Sequence, residues 1–172
     1  MSEPRATLDE VLTARRQSGK AIVNVDEPTV KLVVFEVAGE SFAFPAGSIR
    51  EILAGATVFF VPGCPVSLEG VINVRGDIES VIGLAPLLGL PAGEAGAGSM
   101  ILLGHDGAMS SGIRVDRVVD VADVARTAIQ PPPAVLSETM RRVALGVLSH
   151  RARPVTLLDL GRIFEDYARG VG

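Results

Sequence analysis

From Val30 almost to the C-terminus, short apolar segments follow one another, each closed within a few residues by glycine, proline or an acid. VKLVVFEV (30–37) and SFAF (41–44) read as two strands around a turn at Gly39, and Pro45 ends the second because it cannot donate to a ladder. TVFFV (57–61) is a further strand, closed by Pro62-Gly63-Cys64-Pro65. GVINV (70–74) and IESVI (78–82) flank a turn at Arg75-Gly76-Asp77. MILL (100–103), GHDG (104–107) and GIRVD (112–116) suggest another hairpin, followed by RVVDVADV (117–124). RRVALGVLS (141–149) and RPVTLLDL (153–160) supply the last two strands. About ten short strands at this spacing leave no room for the long crossover helices of a parallel sheet, and favour one or two small barrels.

Helical signals are few. Thr7 and Glu10 have capping-box spacing ahead of Leu8, Val11 and Leu12, so residues 7–18 read as a short amphipathic helix stopped by Gly19. Ser48 and Glu51 repeat that spacing, with Ile49, Ile52 and Leu53 on one face of a helical turn or two. A closing helix runs from about Asp159 to Tyr167. PAGEAGAGS (91–99) reads as a mobile loop, and Pro131-Pro132-Pro133 fixes an extended connector within 127–138. The expected organisation is an N-terminal extension over 1–29 and a domain over 30–172. FEVAGESFAF followed by SIREIL echoes LLGHDGAMSSGIRVD followed by RVVDV, as two copies of one small barrel would.

The chain has 172 residues, 48% hydrophobic and 21% charged, without Trp, so its core is built from aliphatic, largely β-branched side chains. A net charge of −4, with Arg15-Arg16, Arg141-Arg142 and Arg151/Arg153 as scattered basic clusters, argues against nucleic acid. The lone Cys64 suits a reducing compartment, and neither a signal peptide nor a stretch of ~20 apolar residues is visible. A cytoplasmic protein without membrane insertion is the expectation.

Motifs for catalysis are missing. Gly19-Lys20 lacks the rest of a phosphate loop, and no Gly-x-Ser-x-Gly elbow occurs. His105 and His150 are far from each other and from Cys64, so no metal or cofactor is expected. Cys64 reads as a small buried or half-buried filler, and His105 as a solvated imidazole in a turn. Asp116, Asp120 and Asp123 lack the glycine and the bidentate glutamate of a calcium loop, and read as the solvent side of strands. An enzyme using Cys64 or His105 on a small barrel, or a ligand sensor inside one, remains as a contrasting alternative.

The block GCPVSLEGVINVRGDIESVIGL (63–84) resembles the most specific stretch of the CheW family, a Gly-Val-x-Asn-hydrophobic-Arg-Gly pattern followed by a strand. LVVFEVAGESFAFPAGSIREIL is similar to that family's opening hairpin, GIRVDRVVDV and QPPP to its later blocks, and RPVTLLDLGRIF to its closing strand and helix. The resemblance covers roughly 31–166. It implies a mainly β fold of two small SH3-like barrels packed together, with short helices and a C-terminal helix. It also implies a non-enzymatic adaptor that binds the cytoplasmic tip of methyl-accepting chemoreceptors and the regulatory domain of the histidine kinase CheA, with other CheW-like proteins as further partners. The positions matching the family's receptor and kinase contacts are Ile49, Glu51, Ile52, Gly70, Arg75, Gly76, Met100 and Val121. Where members often carry Pro and then Asp-Leu-Arg, this chain has Ser80 and then Gly83-Leu84-Ala85, which points to a specialised adaptor or to a decoy that occupies sites without coupling them.

Overall fold

A computed structural model describes residues 27–91 and 99–169. The expected N-terminal helix and nearly all of the expected mobile loop lie outside the described residues. The strands are β1 (Thr29–Val37), β2 (Glu40–Pro45), β3 (Ile49–Ala54), β4 (Leu68–Val74), β5 (Asp77–Gly83), β6 (Met100–Asp106), β7 (Met109–Val115), β8 (Arg117–Ala125), β9 (Ala144–His150) and β10 (Arg153–Leu158). The helices are α1 (Leu84–Leu88), α2 (Glu138–Val143) and α3 (Leu160–Ala168).

The strands form two five-stranded sheets, ordered β8-β1-β2-β10-β9 and β3-β6-β7-β5-β4. Each sheet is mixed: hairpins are antiparallel, while β10 runs parallel to β2 and β5 parallel to β7. Each also takes strands from both halves of the chain. β3 and β5 of the first half pair with β6 and β7, and β8 and β10 of the second half pair with β1 and β2. The internal echo in the sequence is thus a duplicated unit of hairpin, single strand, second hairpin and helix, in which each copy's single strand and second hairpin complete the sheet begun by the other copy's first hairpin.

The sheets are open, which corrects the expected pair of closed SH3-like barrels. Closure would require ladders between β8 and β9 and between β3 and β4, and neither strand pair is bonded. The connectors run along these gaps instead, each making one isolated β-bridge to its sheet, Phe59↔Val71 and Gln130↔Val147. Prolines 62, 65 and 131–133 lie in these connectors, and a residue without an N–H cannot extend a ladder.

Both faces of each sheet are covered, which is why β1 reads as a nearly continuous apolar run rather than an alternating one. Val33, Phe35 and Val37 point into a core shared with Ile82, Leu102, Ile113 and the helices. Leu32 and Val34 point the other way, onto Ala43, Leu148, Val155 and Leu157. Phe35 stacks on Phe44 at 5.1 Å between ring centroids. α3 closes the shared core with Leu160, Ile163 and Phe164, and Asp159 caps it by accepting the Arg162 N–H.

Three local expectations fail. Residues 49–53 are strand β3, not helix, and Ser48 ends a 3-10 turn over Ala46–Ser48 without a side-chain cap. TVFFV is no full strand and contributes only the Phe59 bridge. RRV (141–143) is the end of α2, with β9 starting at Ala144.

Candidate functional site

The turn between β4 and β5 carries Arg75 at φ +50° and Gly76 at φ +92°. Asn73 Oδ1 accepts the Gly76 N–H at 2.8 Å and fixes the turn. From there the Arg75 guanidinium crosses the open side of its sheet to Glu51 on β3. Its two Nη groups donate to the two carboxylate oxygens, at 3.0 and 2.6 Å. This forked pair spans the two edge strands that the backbone leaves unpaired. The neighbouring guanidinium holds the Glu51 carboxyl below the ordinary carboxylate range, and Glu51 in turn raises Arg75 above the usual arginine value.

Around the fork is a polar cleft of about 200 Å³ lined by Arg50, Glu51, Arg75, Asp77 and Glu79, with Val74 and Leu103 beneath. Arg50 approaches Glu79 at 3.5 Å and donates to Ser110 Oγ at 2.8 Å. Despite its partner, the Arg75 side chain is 73% exposed. Neither Asp77 nor Glu69, its acidic neighbours in the sequence, is the hydrogen-bonded partner of Arg75. Glu69 pairs with Arg114 instead.

Of the other sequence candidates, Gly76 is exposed in the same turn. Gly70 is buried in the β4 bulge, where an added Cβ would stand 2.2 Å from the Phe59 carbonyl oxygen, so this glycine serves a backbone crossing. Ile49, Ile52 and Met100 are half-buried against the shared core. Val121 lies on β8 of the other sheet, opposite Val33, and is 48% exposed. The structure therefore brings together Glu51, Arg75 and Gly76 and disperses the rest.

Exposed apolar residues on the face of β4 and β5 opposite the cleft, which Val74, Asp77 and Glu79 line from the other face, were not singled out by sequence. Phe59 faces Val71 and Ile78 faces Asn73, and alternation along β4 puts these side chains on one face. Phe59, Phe60 (77%), Val66 and Ile78 (66%) are all exposed. The signal was Pro62 and Pro65, which keep this connector out of the sheet. Cys64 is exposed in that connector, contrary to the expected buried filler. His105 is half-buried on β6 opposite Ser110 rather than in a turn. Asp120 accepts from Arg151 and lies 3.1 Å from His150 Nε2, and Asp116 accepts the Ala38 N–H, so these two acids are separately employed. Among the described residues no group of His, Cys, Asp and Glu has metal-site geometry, and no helix is long and apolar enough to cross a membrane.

Ser80 and Gly83, where the family often differs, have local reasons. Ser80 Oγ is 2.8 Å from Ser111 Oγ, and a Cβ at Gly83 would stand 2.8 Å from Glu69 Oε1. An aspartate at 83 would set a second carboxylate against Glu69.

Residues 31–168 match the CheW-like domain. The chain is 29% identical over 146 residues to the probable chemotaxis protein CheW of Rhizobium etli, covering 85% of this chain and 94% of that one. It is 30% identical over 139 residues to the chemotaxis protein CheW of Rhizobium meliloti, covering 81% and 90%. The crystal structure of the scaffolding protein TtCheW from Thermoanaerobacter tengcongensis superposes with a TM-score of 0.72 at 25% identity, over 80% of this chain and 94% of that one. With the match running from β1 to the end of α3, the chain belongs to the CheW-like domain family and is a non-enzymatic adaptor of chemosensory signalling.

Proposed function

We propose that this adaptor couples by docking the cytoplasmic tip of methyl-accepting chemoreceptors, and the regulatory domain of the kinase CheA, at the cleft centred on Arg75 and Glu51. The carrying observation is a guanidinium that is forked to a carboxylate yet remains mostly exposed, at the mouth of an open sheet. Such a group is already oriented, so little rotamer freedom is lost when a partner's carboxylates or carbonyls take its outer edge. The cytoplasm is the compartment that this reading requires.

Arg75→Ala tests it. Binding of a purified receptor cytoplasmic fragment or of the kinase regulatory domain weakens about tenfold or more, the effect expected of a lost arginine anchor. The melting temperature moves by no more than a degree or two, because an exposed pair contributes little to stability. Arg75→Lys recovers part of the affinity, since an ammonium keeps the charge and loses the fork. A large fall in melting temperature with unchanged affinity would make Arg75 an internal brace. Reconstituted kinase assays with receptor separate coupling, which stimulates turnover, from decoy behaviour, which suppresses it.

A further inference from the structure

The duplication places a second cleft at the position matching the first. Three positions before the last pair of each opening hairpin, Val37↔Glu40 and Asp106↔Met109, stand Val34 and Leu103. Leu103 faces Glu51, and Val34 faces Asp120. Gly70 and Gly146 likewise correspond: a Cβ at either would strike the carbonyl oxygen of the bridging connector, Phe59 or Gln130. Five residues beyond each glycine comes an arginine in a hairpin turn, Arg75 or Arg151, at φ +50° and +51°. Arg75 bonds Glu51, and Arg151 Nη2 bonds Asp120 Oδ2 at 3.3 Å.

The charge of the second cleft is reversed. It encloses about 150 Å³ and is lined by Glu36, Arg117, His150, Arg151 and Arg153. Asp77 of the first cleft is replaced by Arg153, and Glu79 by Val155. Glu36 is held by Arg117 Nε at 2.6 Å and Arg153 Nη1 at 3.0 Å, and His150 Nε2 stands 3.1 Å from Asp120. Three arginines thus face two carboxylates. Each guanidinium has five N–H donors, and the bonds to Glu36 and Asp120 use one on each. All three side chains are more than half exposed. Bracing Glu36 does not account for this surplus. It also does not account for the turn, where Arg151 and Ala152 both take positive φ although glycine or asparagine would do so with less strain.

We propose that this mouth of the first sheet is a second docking surface, which takes an acidic, carboxylate-bearing segment of a partner protein. It is distinct from the Arg75 cleft and independent of what docks there. Fluorescein-labelled hexaglutamate is the probe, titrated into the full chain at low salt and followed by anisotropy. Binding is saturable and weakens with added NaCl. Arg151→Gly, which removes the guanidinium and relieves the turn, weakens it about fivefold or more while the melting temperature stays the same or rises. Arg117→Gln with Arg153→Gln acts in the same direction, and Arg75→Gly leaves affinity within about twofold. No saturation by ~1 mM peptide, or an equal loss with Arg75→Gly, would overturn the proposal. So would preference for a DNA oligonucleotide of similar charge, or concentration-dependent self-association of the chain that Arg151→Gly abolishes.

Discussion

Gly70 shows how much a single position decides. Its φ of +153° and the 2.2 Å approach of the Phe59 carbonyl leave no space for a methyl group, and that carbonyl accepts the Val71 N–H at 2.9 Å. Gly70→Ala is expected to cost about 2–3 kcal/mol, because strain and a lost bridge add. Gly39→Ala, with positive φ but open space around it, should cost about 1 kcal/mol. Urea melts of the two variants check the order. Glu36 gives a second test. Hydrogen bonding to Arg117 leads the effects that hold its carboxyl below the ordinary value, with Arg153 adding to them. Its contribution is therefore complete above the unfolded carboxylate value of about 4.3 and is lost as pH falls through the lower folded value. Glu36→Gln should flatten the acid side of a stability–pH profile below about pH 4, and an unchanged profile would show that the pair contributes nothing. At this scale sequence revealed Arg75 and Glu51 only through a resemblance. Their pairing depends on two edge strands meeting across an open sheet, which no local pattern encodes.

Elements were legible where one periodicity had no competitor. Asp159, Leu160, Ile163 and Phe164 mark α3 by cap and stripe, and the helix forms there. Residues 48–53 were misread. The capping-box spacing favoured a helix, but Ile49 and Ile52 sit on the rim of the shared core and Ile52 lies opposite Leu102, so tertiary pairing prevailed over local preference. α1 escaped notice because five residues carry too little periodicity, and it ends where Gly89 turns left-handed at φ +71°. The consequence for α3 is quantitative. Phe164, 2% exposed in the shared core, should lose about 3–5 kcal/mol on truncation to Ala, and Asp159→Ala about 1 kcal/mol through the lost cap. Equilibrium denaturation measures both. A Phe164→Ala loss below ~1 kcal/mol would mean that the helix docks without sealing the core.

On the scale of the whole molecule, the sequence echo implied two like units, and the inference drawn was two small barrels packed together. The exchange of β3–β5 and β8–β10 between the two sheets is invisible to any reading of single segments, because it resides in which strand pairs with which. It also predicts how the fold responds to cutting. The first sheet needs β1 and β2 from before the 92–98 segment and β8, β9 and β10 from after it, while the second needs β3–β5 from before and β6–β7 from after. The shared core likewise joins Phe35, Phe42 and Phe44 to Leu102, Ile113 and Phe164. A chain severed within 92–98 would thus keep the ladders β1–β8, β2–β10, β3–β6 and β5–β7 only when both fragments are present. Fragments ending at residue 91 and starting at residue 99 should each lack a cooperative unfolding transition, since an isolated half exposes the faces of incomplete sheets. Mixed in equal amounts, they should assemble into a complex with the circular dichroism of the intact chain and a concentration-dependent melting temperature, because two-fragment folding is also binding. If either fragment alone melts cooperatively, the exchanged ladders β1–β8 and β3–β6 are not what holds the halves together, and each half is a domain in its own right.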